Sequence, residues 1–208
     1  QGTNAIALGE QAGQTNQGSY SIALGYQASI NSQEQYSIAI GYQTAQTFQG
    51  PNSISLGKQA GQSTQGDSSI AIGLTAGQFN QSSSSVAIGD SAGGINQSIA
   101  SIAIGSYSGN DNQGSSAVAM GSGAGQIYQG QNAIAIGNDA GGNTQGNEAV
   151  AIGLSAGQNT QGERAVAIGN QTGQYSQGIN SIAIGNNAGK TVQGGNSIAL
   201  GFNSGTVS

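Results

Sequence analysis

The chain has 208 residues, of which 38 are Gly, 8 are acidic and 3 are basic, giving a net charge of −5. It has no Cys, His or Trp, which removes disulfides, thiol and imidazole catalysts and the usual donor sets of zinc, haem and iron–sulfur sites. Three cations give no electrostatic grip on nucleic acid or an anionic membrane, and no apolar run approaches the roughly 18 residues of a membrane span. The expectation is therefore a chain with no metal, no cofactor and neither of those partners. The sequence opens at Gln1 without a signal peptide, as a mature or excised segment would, and the absence of Cys fits an extracellular location.

Along the chain the dominant feature is a sixteen-residue period repeated thirteen times without insertion or deletion. Gln opens every repeat: Gln1, Gln17, Gln33, Gln49 and so on through Gln145 to Gln193. Gly follows it except at Glu34, Ser82 and Ser98, most simply as a turn position. After two variable positions come Ala or Ser, then Ile or Val, then Ala (once Ser55), then Leu, Ile or Met120, then Gly. Ser-Ile-Ala-Ile-Gly alternates large and small with period two, which is strand patterning and not helical patterning. The phased glycines, among them Gly9, Gly25, Gly137 and Gly185, permit a positive φ where the strand turns. Sixteen residues are too few for a strand plus a crossover helix. The fold expected is all-β: a parallel β-solenoid, or β-roll, of thirteen coils stacked about 4.8 Å apart over residues 1–208 as one continuous array.

The two faces of the strand are assigned from side-chain size. Ile6 and Leu8, Ile22 and Leu24, Ile134 and Ile136, Ile182 and Ile184 share one face, taken as two aliphatic ladders inside the coil. That core is thin, because two large residues per sixteen barely offset about 1.5 kcal/mol per residue of ordering entropy. Ala7, Ala23, Ala135 and Ala183 then point outward. A column held to Ala or Ser through every repeat suggests a face packed closely against other chains. The alternative is that Ala is merely neutral at a surface. The tenth position, which runs Glu10, Tyr26, Tyr42, Lys58, Leu74, Asp90, drifts freely and marks solvent. The Gln column reads as an amide ladder, each side chain bonding those above and below. Residues sixteen apart are neighbours, and the charged pair at that spacing, Glu148 over Arg164, is of opposite sign.

No active site emerges, and the chain is not expected to be an enzyme. The carboxylates (Glu10, Glu34, Asp67, Asp90, Asp111, Asp139, Glu148, Glu163) never recur as a column. Gly121, Gly123 and Gly125 lack the Lys and helix of a phosphate loop. The triplets beginning at Asn80, Asn96 and Asn170 match a glycosylation acceptor but arise readily by chance in Asn-rich repeats. Tyr20 and Tyr36 share one phase, and Tyr26 and Tyr42 another. Such ladders can stabilise the roll by cross-strand stacking or contact a sugar or protein partner.

Asn180-Ser181-Ile182-Ala183-Ile184-Gly185 followed by Ala188, with its equivalents in all thirteen repeats, resembles the head repeats of trimeric autotransporter adhesins. The strict sixteen and the Gln-Gly turn resemble the fibre repeats of phages and large viruses. The resemblance implies a left-handed parallel β-roll, three chains side by side, and an adhesive or spacer role at a cell or virion surface, with a host-surface glycan or protein as a further partner. An open solenoid end exposes unpaired backbone, so the segment is expected to belong to a longer array or to stack into filaments. Two other readings are an ice- or mineral-binding solenoid, which needs a regular Thr column, and a glycan-degrading β-helix, which needs a recurrent acidic cleft. Thr15, Thr47, Thr64, Thr144, Thr160 and Thr191 are scattered, so a thermal hysteresis measurement on the purified protein is expected to show none.

Overall fold

The computed structural model describes residues 1–205. Among them the chain is all-β, a solenoid whose coils repeat every sixteen residues, in two compact units, Gln1–Ser101 and Ile102–Ser208. In the first unit the strands Ile6–Leu8, Ile22–Leu24, Ile38–Ile40, Ile54–Leu56, Ile70–Ile72 and Val86–Ile88 form a parallel sheet. Each residue pairs with the one sixteen further on, Ile6 with Ile22 and Ala7 with Ala23. In the second unit Ile102–Ile104, Val118–Met120 and their successors through Ile198–Leu200 do the same. A second sheet of shorter strands ends at the Gln column: Ser32–Gln33, Phe48–Gln49 and Thr64–Gln65 in the first unit, and Asp111–Gln113 through Val192–Gln193 in the second.

The backbone ladder does not stop at the strands. Ile22 N–H donates to the Ser37 carbonyl at 2.9 Å, and in the turns Gln27 N–H donates to Glu10 and Tyr36 N–H to Ser19 at 2.9 and 3.1 Å. Nearly the whole circumference of each coil thus finds partners on its neighbours. Each such bond contributes a modest net stabilisation of about 1 kcal/mol, but leaving one unmade is costly. This ladder supplies what a thin apolar core lacks.

The faces of the main strand are the reverse of the size-based expectation. Ala23, Ala135 and Ala183 are fully buried inside the coil, and Ala7 in the first coil is partly covered. Ile6, Leu8, Ile22, Leu24, Ile134, Ile136, Ile182 and Ile184 lie on the outer face, half-buried or exposed. The reason is the bore of the coil. A Cβ placed on Gly13 would lie 3.2 Å from the Ala7 Cβ, and one on Gly141 would lie 3.3 Å from the Ala135 Cβ. Opposite walls approach so closely at the Ala column that no large aliphatic side chain fits there. The interior is a double row of small residues, Ala119, Ala135, Ala151 and Ala167 against Ala124, Ala140 and Ala156.

Interior hydroxyls find backbone acceptors at several places, although the Ser29 Oγ and the Gln33 Oε1 are buried without a partner. Ser21, Ser69 and Ser181 donate to the carbonyls of Gly18, Gly66 and Gly178 at 2.6–2.7 Å, so Ser and Ala exchange freely there. Thr44 and Thr172, standing for Ala, donate to Gly57 and Gly185.

The phased glycines meet two demands at once. Gly9, Gly25, Gly137 and Gly185 have φ of 132°, 129°, 126° and 125°, and a Cβ on Gly9 would sit 2.4 Å from the Gly25 carbonyl oxygen. The glycine after each Gln differs from the expected turn role. Gly18 has no positive φ, but a Cβ there would lie 2.6 Å from the Gln35 nitrogen, so close approach of coils is what requires it. The left-handed conformation falls instead on the phase of Gly13, Ser29 and Ala45 and on two columns of more varied residues. Tyr20, Tyr36, Glu148 and Arg164 occupy one, and Gln27, Tyr107 and Asp139 the other, all with φ between 52° and 59°. The residue before the Gln is left-handed in some coils, at Tyr128 and at four asparagines. These are Asn16, Asn80, Asn96 and Asn112, and Asn tolerates the conformation.

Gly137→Ala is expected to lower stability by more than about 2 kcal/mol, through left-handed strain plus a backbone clash. Gly142→Ala, at an ordinary φ with its nearest neighbour 3.3 Å away, is expected to stay within about 0.5 kcal/mol of the parent. Thermal melts followed by circular dichroism compare the two.

Candidate interaction surfaces

The inverted strand leaves two aliphatic columns on the outside of each unit. In the first unit they run Ile6, Ile22, Ile38, Ile54, Ile70, Val86 and Leu8, Leu24, Ile40, Leu56, Ile72, Ile88. In the second they run from Ile102 to Ile198 and from Ile104 to Leu200. Within the stacks Leu24, Met120 and Ile152 retain 37–40% exposure, against zero for the alanines between the columns. No charged or polar side chain interrupts either column. Contiguous apolar surface of this kind marks an interaction site, because leaving it in water forfeits about 25 cal/mol per Å².

The Gln column lies inside the coil and has a different principal bond from the ladder expected. From Gln17 to Gln193 the side-chain Nε2 donates across the coil to the carbonyl of the first strand residue eleven positions earlier. Gln17 reaches Ile6, Gln129 reaches Val118 and Gln193 reaches Ile182, each at 2.8 Å. The amide-to-amide bonds come second. Gln33 donates to Gln49 at 3.1 Å, and a run links Gln113, Gln129, Gln145, Gln161 and Gln177 at 3.0–3.1 Å. Gln1 is exposed. Each glutamine therefore ties the two walls together, and a small residue four positions before it, Gly except at Ser29 and Ala45, makes room. A Cβ on Gly77 would lie 2.6 Å from the Gln81 Oε1. Ser55, standing for Ala, donates to the Gln65 Oε1 at 2.6 Å.

A second amide ladder lies on the outside and went unread in the sequence, although Gln11, Gln27, Gln43 and Gln59 recur in phase. Gln27 donates to Gln11 at 2.7 Å and Gln43 to Gln27 at 2.9 Å.

The tyrosines pair as their phases predict. Tyr20 and Tyr36 stack with ring centroids 5.3 Å apart and planes 6° apart, and Tyr26 and Tyr42 at 5.2 Å and 15°. Lys58, next in the second column, places its Nζ 5.9 Å from the Tyr42 centroid. Stacked face to face, the rings cover each other's π faces and offer edges and hydroxyls to solvent, so the pairs serve as cross-strand stacking within the roll. Arg164 pairs with its neighbour Glu163 at 3.6 Å and donates to Asn180 at 2.8 Å. Among the described residues no three acidic side chains gather. Of the glycosylation-like triplets, Gln81, Gln97 and Thr172 are buried.

Gln129→Leu keeps the bulk but strands the buried Gln145 Oε1 and takes the cross-coil donor from the Val118 carbonyl. A loss of about 1–3 kcal/mol is expected from the buried groups left unpaired, read as a lower midpoint in urea unfolding.

Residues 176–204 match the family model described as YadA head domain repeat, in two copies. The columns of that segment, from Gln177 to Leu200, recur in phase through the preceding repeats. No curated protein and no solved structure matches the chain.

Proposed function

We propose that the chain is an adhesin-type structural fibre segment, exposed at a cell surface, in which copies pack side by side through the outward aliphatic columns. In this reading it acts as a rigid spacer and attachment module and carries out no catalysis. One observation carries the reading: in every coil the methyl groups fill the interior and the large aliphatic side chains lie outside. A solitary coil would hold both columns in water. A neighbouring copy offers the same two columns at the same repeat, so every Ile or Leu finds an equivalent partner. The match of residues 176–204 to a YadA head repeat supports the same assignment, as do the scarcity of charge and the absence of any recurrent acidic column. Three copies and a left-handed coil follow from the family resemblance. A host-surface glycan or protein would then meet the columns that drift between repeats, since the aliphatic face is taken up by the fibre itself.

The test separates an outward column from an inward one. Ile136→Thr, Ile152→Lys and Ile168→Thr together are expected to convert a multimer to single chains in sedimentation velocity, with the β-type circular dichroism retained. Ala151→Leu, aimed inward, is expected to abolish that β signal. A parent protein that sediments as a single chain would sink the proposal, and so would a triple variant that keeps the parent's mass.

A further inference from the structure

We infer that Tyr20 with Tyr36 and Tyr26 with Tyr42 are sites of intrachain dityrosine formation under one-electron oxidation, for which a haem peroxidase with hydrogen peroxide is the fitting reagent class. The inference begins with composition. A chain with no Cys and no Trp, and a single Met, has neither thiols nor indoles to drain an oxidising equivalent, so its seven tyrosines are the principal sinks. Four of them are already in contact. The ring centroids are 5.3 and 5.2 Å apart, and the side chains are 39–53% exposed, open to a diffusing oxidant. The strands that follow hold the pairs in place, with Ile22 registered on Ile38 and Ala23 on Ala39. Tyr20 N–H bonds to Thr3 and Tyr36 N–H to Ser19 at 2.9 and 3.1 Å. Proximity fixed in this way replaces a diffusional encounter of two radicals with a local one.

The step balances. Hydrogen peroxide accepts two electrons and two protons, one of each from each phenol, and leaves as two waters. The two phenoxyl radicals join through a bond between carbons ortho to the hydroxyls. The hydrogens on those carbons then move to the oxygens and restore both phenols. The product links adjacent coils covalently, closing a sixteen-residue loop in a protein that has no disulfides. Lys58 sits over the Tyr42 ring, and its positive charge opposes removal of an electron from that ring, so Tyr20–Tyr36 is the pair that couples first.

The test treats the intact 208-residue protein with a haem peroxidase and hydrogen peroxide, and reads dityrosine fluorescence, a denaturing gel and peptide masses. Cleavage after Glu34 separates Tyr20 and Tyr26 from Tyr36 and Tyr42. A link therefore appears as two peptides joined, lighter than their sum by two hydrogens, and fragmentation of the joined peptides tells Tyr20–Tyr36 from Tyr26–Tyr42. The expected result is fluorescence on a band of single-chain mobility, with Tyr20 and Tyr36 joined ahead of the second pair. In Tyr20→Phe/Tyr26→Phe, which keeps both rings and the stacking, the fluorescence should fall at least tenfold although Tyr107, Tyr128 and Tyr175 remain. Equal fluorescence in that variant would overturn the inference. So would covalent dimers as the main product, or oxidation of the parent without joined peptides.

Discussion

The bore of the coil sets everything else in this protein. Opposite walls lie so close that the interior accepts methyl and hydroxymethyl groups and one extended amide per turn. A strand alternates its side chains between two faces, so once Ala is inside, the Ile and Leu on either side of it must be outside. Packed sheets about 10 Å apart place large residues between them. A sixteen-residue coil closes at a smaller spacing and reverses the usual assignment.

A core of alanines buries little area per residue, and the compensating interactions are hydrogen bonds. The parallel ladder runs through turns as well as strands, and the cross-coil Gln bond adds a tie between walls that no apolar side chain could provide. A leucine could fill the space of Gln33 or Gln145 but would leave the Ile22 or Ile134 carbonyl without that donor. This explains why the column holds Gln through every repeat, where a merely space-filling position would drift. It also explains the strictness of the period. The bond from each Gln reaches back eleven residues while its backbone pairs sixteen residues on, so an insertion anywhere in the coil would break one or the other.

Much of the fold could be read from the residues alone. The period gave the coil, the large–small alternation gave the strand, and the glycine after it marked the bend. The restriction to Ala or Ser points to close packing, but against the opposite wall of the same coil and not, as the sequence suggested, against other chains. What alternation cannot say is which side is inside, because it defines two faces without naming the volume each must occupy. The left-handed columns were hidden for another reason. Asn4, Asn52, Asn132, Asn180 and Asn196 carry the Asn preference of such a position, but Tyr36, Glu148 and Arg164 in the same column mask it, held there by the ladder bonds on their own N–H groups. The outer Gln ladder was legible from phase and was passed over in favour of the stricter inner one.

The reversal also changes what association does for the molecule. Had the aliphatic columns been internal, contact between copies would add to an already complete core. With them outside, folding of one chain removes the backbone from water but leaves its largest apolar groups half in it. The residual hydrophobic term can be recovered only from another apolar surface, and the surface that matches a column of Ile and Leu at a fixed rise is another such column. In the proposed fibre, folding and assembly are two stages of one burial process. The first is driven by the hydrogen-bonded ladder around an alanine-filled bore, and the second by the side chains that the bore was too narrow to admit.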